Sequence, residues 1–153
     1  MSDPIFSYDH SVDVNASPEA VYDTVSDLTR TGEWSPMNIG GQWLDGGTAK
    51  VGDWFEGHNK MGKMEWKAKV EITEAERPAR FGFWTMGKEA NLVHWSYSIE
   101  PAGGGAKLTQ HYRLYNAPEG IAKGPGGVEG WCQAVQGNIQ QSCAGIKATV
   151  EKA

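Results

Sequence analysis

The chain has no apolar run approaching the roughly 20 residues that a membrane-crossing helix needs, so no membrane span is expected. It also lacks a cationic surface. With 14 basic and 19 acidic residues the net charge is −5, and no basic run or basic helix face is present to meet nucleic acid or an acidic membrane. Cysteine is scarce. Cys132 and Cys143 are the only two. They have no Cys-x-x-Cys spacing, and on one helix they stand roughly 16 Å apart, beyond the reach of about 7 Å that a disulfide allows. Both are expected as thiols, with Cys143 in the core. Four histidines are spread along the chain without three converging ligands, so no metal is expected. Neither a Gly-x-Ser-x-Gly elbow nor a Gly-x-Gly-x-x-Gly fingerprint occurs. Lys123-Gly124-Pro125-Gly126-Gly127 is not a phosphate loop, because no strand runs into it and the Gly-Lys-Ser/Thr ending is missing. No cofactor is expected. Met1-Ser2-Asp3-Pro4 has neither a basic region nor an apolar core, so a signal peptide is not expected and the default location is cytoplasmic.

What is present is organised around the tail. Trp131, Val135, Ile139, Cys143, Ile146 and Val150 fall at intervals of three and four, one stripe of an amphipathic helix over Val128 to Lys152. Gln133, Gln136, Asn138, Gln140, Gln141, Lys147 and Glu151 form its solvated side. Such a helix, on the order of 35 Å long, needs a broad apolar partner. The rest of the chain supplies strands. Phe6, Tyr8, His10, Val12 and Val14 alternate with polar residues, which predicts a half-buried strand. Ser17-Pro18-Glu19 predicts a capped short helix with Ala20, Val21, Val25 and Leu28 inward, and Asp27 to Gly32 a turn or second short helix. Gly40 to Leu44 reads as a strand and Asp45-Gly46-Gly47 as a turn.

Three hairpins follow. Opposite charges placed across strands pair Glu56 with Lys67 and His58 with Glu65, which sets Phe55 against Ala68, Gly57 against Trp66 and Asn59 against Met64. The second hairpin sets Ile72 against Phe81, Val70 against Phe83 and Ala68 against Thr85, with Arg77-Pro78 in the loop. The third sets Ile99 against Leu108, Tyr97 against Gln110, Trp95 against Tyr112 and Val93 against Leu114, with Glu100 facing Lys107 and a turn over Pro101 to Ala106. Asn116 to Gly127, rich in proline and glycine, reads as a loop. The fold expected over residues 1–153 is a single α+β domain: a curved seven-stranded antiparallel sheet around a long C-terminal helix, with two short helices after the first strand.

Ser17-Pro18-Glu19-Ala20-Val21-Tyr22, with Asp27 and Trp34 after it, resembles the opening of the START-like, or Bet v 1-like, helix-grip (SRPBCC) superfamily. Trp95-x-Tyr97-x-Ile99-Glu100-Pro101, with Leu108-Thr109 and Tyr112-Arg113, is similar to the last hairpin of its polyketide cyclase/dehydrase group. The resemblance implies a cavity under the long helix for lipids, sterols, polyketides or hormones, and in some members cyclase or aromatase activity. It also implies an arginine or other polar groups in the pocket of the cyclases. Here Arg80 and Arg113 are expected to face outward, with Arg30 near the helical turn.

The residues expected to face a ligand are Tyr8 and His10 on the first strand, and Phe55, Asn59, Met64 and Trp66 on the first hairpin. Phe83, Trp95, Tyr97, Gln110 and Tyr112 join them from the later strands, and Trp131 and Val135 from the tail. Aromatic walls with a few polar tips suit an apolar small molecule; large side chains filling an ordinary core are the plain alternative. No catalytic residue is assigned. Three readings stay open. The chain binds a lipid-like or aromatic, polyketide-like ligand; or it is a polyketide cyclase, aromatase or dehydratase with His10 and Tyr112 carrying protons; or it is a protein-interaction module. For the last, Trp54, Lys69 and Trp84 are expected in line on the outer face, with Met86 and Leu92 nearby, as a homodimer contact.

Overall fold

The computed structural model describes residues 3–152. Met1 and Ser2, which belong to the N-terminal reading above, and Ala153 lie outside them. Strand β1 (Phe6–Val14) is followed by helix α1 (Pro18–Val25) and a 3-10 helix (Leu28–Glu33). Then come β2 (Asn38–Trp43), β3 (Trp54–Met61), β4 (Met64–Glu76), β5 (Arg80–Thr85), β6 (Val93–Ala102) and β7 (Gly105–Leu114). A four-residue helix α2 (Glu119–Ala122) and the long helix α3 (Gly127–Lys152) close the chain. The strands form one seven-stranded antiparallel sheet in the order β1-β7-β6-β5-β4-β3-β2. Sheet, short helices and long tail together make the α+β helix-grip fold.

Helix α3 lies across one face of the sheet, held by two apolar clusters. Near its start Cys132, Val135, Ile139 and Cys143 pack with Val93, Tyr112 and Leu114. Near its end Ile146 and Val150 pack with Val14, Ile99 and Leu108, and with Val21 and Val25 of α1. The stripe read from the sequence is therefore the buried one. Both cysteines are free and buried, and burial pushes the Cys143 thiol up to about 12. The Ser17 hydroxyl accepts from the Ala20 N–H at 3.1 Å, capping α1, with Pro18 at the first helical position. Ala20 itself is exposed; Tyr22 and Thr24 take the inward positions beside Val21 and Val25. Trp34 seats its backbone and Cβ against Gly145 of α3, where a methyl group would lie 2.7 Å from the Trp34 Cβ.

The third hairpin pairs as expected, from Val93 with Leu114 to Glu100 with Lys107. Its turn is tighter, since Gly103 and Gly104 alone turn the chain at φ 53° and 88°. The other two hairpins are displaced by two residues. Phe55 faces Val70, Gly57 faces Ala68, Asn59 faces Trp66, Glu56 faces Lys69 and His58 faces Lys67. A two-residue turn with Gly62 at φ 62° fixes this register over the charge pairing assumed above. Ile72 then faces Phe83 and Val70 faces Thr85, and an irregularity between Ile72 and Glu74 shifts Phe81 opposite Ala75. Gly82 sits at that point, where a Cβ would fall 2.5 Å from the Glu74 carboxylate. The shift also places Glu71, not Lys69, between Trp54 and Trp84. Trp84 instead stacks on His94 at 4.8 Å and lies 5.4 Å from the Tyr115 ring. Two boundaries move as well: β2 begins at Asn38 rather than Gly40, and the expected loop over Asn116 to Gly127 contains α2.

Candidate functional site

Between α3 and the sheet lies a cavity of about 760 Å³, inside the range of about 300–1,000 Å³ typical of small-molecule sites. Its walls come from every strand between β3 and β7. Phe55 and Asn59 belong to β3, Trp66, Ala68 and Val70 to β4, and Phe83 to β5. Trp95 and Tyr97 of β6 and Gln110 and Tyr112 of β7 continue the surface. Trp131, Ala134, Asn138 and Ser142 of α3 roof it. Alternation along the strands explains the set, because every second side chain turns to the helix face. Gly57 and Ala68, paired across β3 and β4, place no bulk at the centre. Exposed Met64 and Met86, together with Lys63, Glu65 and Lys67 at the β3–β4 turn, mark the mouth.

Phe55, Asn59, Met64, Trp66, Phe83, Trp95, Tyr97, Gln110, Tyr112 and Trp131 thus line one space. Tyr8, His10 and Val135 do not. Tyr8 and His10 sit on β1, the edge strand beyond β7, and their rings stack at 6.4 Å. The Tyr8 hydroxyl is occupied outside the cavity, accepting from the Gln140 amide at 2.7 Å. Val135 instead packs into the core beside the cavity, among Tyr112, Leu114 and Ile139. Asn138, assigned to the solvated side, instead lines the cavity, and Ser142 donates to its Oδ1 at 3.2 Å. The signal for both was present: Trp131, Ala134, Asn138 and Ser142 form a second stripe at spacings of three and four beside the core stripe. Leu28, Trp34, Met37, Ile121, Met86 and Leu92 also reach the wall. Met86 and Leu92 are therefore cavity residues and not part of the outer patch.

The polar atoms inside are neutral. Asn38 donates to the Asn59 side-chain oxygen at 3.3 Å, and the Cys143 thiol lies 3.7 Å from the Gln110 side-chain oxygen. The Tyr112 hydroxyl accepts from the Trp131 indole N–H at 2.8 Å. Trp95 meets the Tyr112 ring edge-on at 4.6 Å, and the Trp66 and Trp131 rings lie 6.3 Å apart. Burial pushes the Tyr97 and Tyr112 hydroxyls well above the usual phenol value, so both keep their protons at neutral pH. Arg80 and Arg113 face away from the cavity, as expected: Arg80 pairs with Glu74 at 2.8 Å and Arg113 with Asp9 at 2.9 Å. Among the described residues no group of three His, Cys, Asp or Glu side chains could hold a metal ion. No helix among them is long and apolar enough to cross a membrane.

A sequence profile described as polyketide cyclase/dehydrase and lipid transport matches residues 6–151. The fold is similar to the solution structure of the Polyketide_cyc-like protein Cgl2372 from Corynebacterium glutamicum, with 27% identity, a TM-score of 0.66 and coverage of 99% of this chain and 94% of that one. The major latex-like protein 151 from Panax ginseng aligns at 13% identity and TM-score 0.68, over 94% of this chain and 96% of that one. The di-domain ARO/CYC StfQ from the steffimycin biosynthetic pathway aligns at 11% identity and TM-score 0.75, over 95% of this chain and 50% of that one. The last two likenesses are of fold alone. No curated protein matches the sequence.

Proposed function

The chain belongs to the polyketide cyclase/dehydrase and lipid-transport family, and from that premise we propose that it binds an uncharged apolar small molecule, aromatic or lipid-like, between α3 and the sheet. The observation that carries this reading is the cavity of about 760 Å³ with aromatic walls and neutral polar tips. A ligand burying about 300 Å² of apolar surface gains about 7.5 kcal/mol at about 25 cal/mol per Å², before the entropic costs of association. Amide and hydroxyl groups of Asn59, Gln110, Tyr97 and Ser142 set its orientation. The cyclase reading has less support. His10, its proposed base, is absent from the wall, and the carboxylate and ammonium groups at the cavity stand at its mouth. The test is a fluorescence titration with anthraquinone and with a long-chain alcohol, read at the cavity tryptophans. A saturable change in tryptophan emission is expected with either, quenching for anthraquinone and a spectral shift for the alcohol, with the affinity weakened about tenfold or more by Trp66→Ala. A flat response to both would remove the proposal.

A further inference from the structure

The sheet face turned away from α3 carries a second arrangement that the cavity does not use. Ser98 of β6, His111 of β7 and Asp9 of β1 stand in a row across three adjacent strands. The Ser98 Oγ lies 2.8 Å from His111 Nε2, and His111 Nδ1 lies 2.6 Å from an Asp9 carboxylate oxygen. With its proton on Nδ1, the imidazole donates to Asp9 and leaves Nε2 free to accept from the Ser98 hydroxyl. These are the distances and the order of a nucleophile, a general base and the carboxylate that orients it. Arg113 also holds Asp9, at 2.9 Å, which keeps that carboxylate charged. Arg80 donates to Ser98 Oγ from the opposite side at 3.0 Å and is itself held by Glu74 at 2.8 Å. The guanidinium therefore fixes the Ser98 hydroxyl oxygen from the β5 side while His111 takes its proton.

We propose that Ser98, His111 and Asp9 form a second, catalytic site that hydrolyses esters of short acyl groups. Ser98 Oγ bonds to the ester carbonyl carbon while its proton passes to His111 Nε2. The carbon–oxygen bond to the alcohol then breaks, and the alcohol leaves with that proton. Water repeats the exchange on the acylated serine, releasing the carboxylic acid and restoring Ser98. Asp9 is a positioning residue, acting only through the imidazole. The site lies on the sheet face turned away from α3, outside the cavity described above, which is why the substrate class is restricted to small acyl groups and saturation is expected only at high concentration.

The experiment uses the unmodified full chain. It is incubated with a fluorophosphonate, and the adduct is located by peptide mass spectrometry; release of 4-nitrophenolate from 4-nitrophenyl acetate is followed in parallel. The adduct is expected on Ser98. Ester hydrolysis is expected to fall by about 100-fold or more in Ser98→Ala and in His111→Gln. An unlabelled Ser98, an adduct only on other side chains, or wild-type turnover in Ser98→Ala would each overturn the proposal and leave the row as a cross-strand hydrogen-bond network. The labelling result stands without any variant, so it holds even if a substitution unfolds the protein.

Discussion

At the scale of single residues, the interior is governed by whether each buried polar atom has a partner. Tyr112 is fully buried, and its hydroxyl is the acceptor for the Trp131 indole N–H. Tyr112→Phe removes that acceptor while keeping the ring beneath Trp95. The expected cost is about 1 kcal/mol in urea unfolding, because the indole donor loses its protein partner. A variant as stable as the parent would mean that the contact contributes nothing. On the outer face, burial depresses the His94 pKa below its ordinary 6.5, against the pull of Glu74 at 3.2 Å. The unfolded chain therefore takes up this proton first. The stability gained from neutral His94 is complete above pH 6.5 and is lost as pH falls through the lower folded value. Glu74 and Asp9 act lower on the scale. Desolvation raises each, but the ion pairs with Arg80 and Arg113 and the histidine contacts outweigh it, so both sit below their ordinary 4.5 and 3.8. Their share is lost as pH falls further, through those depressed values. Urea midpoints are expected to decline from about pH 6.5 and more steeply at lower pH, with His94→Phe flattening the first stage and reducing the Glu74 share of the second.

At the scale of elements, α3 decides most of the architecture, and its glycines separate two effects. Gly137 has open space where a Cβ would go, so Gly137→Ala is expected to stabilise the protein by about 0.5–1 kcal/mol through helix propensity. Gly145 has the same backbone preference, but a Cβ there would meet Trp34 at 2.7 Å and its backbone oxygen at 3.0 Å. Gly145→Ala is expected to lower stability, by about 1–3 kcal/mol, because the Trp34 segment must move. Thermal melts of the two variants moving in the same direction would contradict this assignment. The helix was legible from its stripe alone, since apolar residues spaced by three and four share a face on a helix and scatter to both faces of a strand. The β6–β7 register was legible too, because Glu100 and Lys107 pair in one alignment and the intervening glycines admit a tight turn. For β3 and β4 the same charge argument was degenerate. Lys67 and Lys69 sit two residues apart on one face, and the turn at Gly62 selected between them. A slip of two preserves which face each side chain takes, so the cavity wall survived the error. The outer line kept both tryptophans but lost its cation, since Glu71 and not Lys69 stands between them.

At the scale of the whole molecule, strands β3 to β7 and α3 enclose space that the chain does not fill. Trp66, Trp95, Tyr97 and Trp131 were readable as its wall from alternation and from the family resemblance together. Tyr8 and His10 shared the correct face, but the sequence does not say that β1 is the edge strand and that α3 leans over it. Asn138 and Ser142 were hidden by their polarity, which in a helix ordinarily marks the solvated side. The central claim is that the unfilled space is a binding site, and a cavity-filling substitution tests it most directly. Ala68 lies on the wall beside Gly57, so Ala68→Trp introduces a large ring into the space. Calorimetric titration of 2-naphthol should show saturable binding to the parent and none to Ala68→Trp, with the melting temperature of the variant unchanged or raised. Equal binding by both proteins, or no binding by the parent, would contradict it.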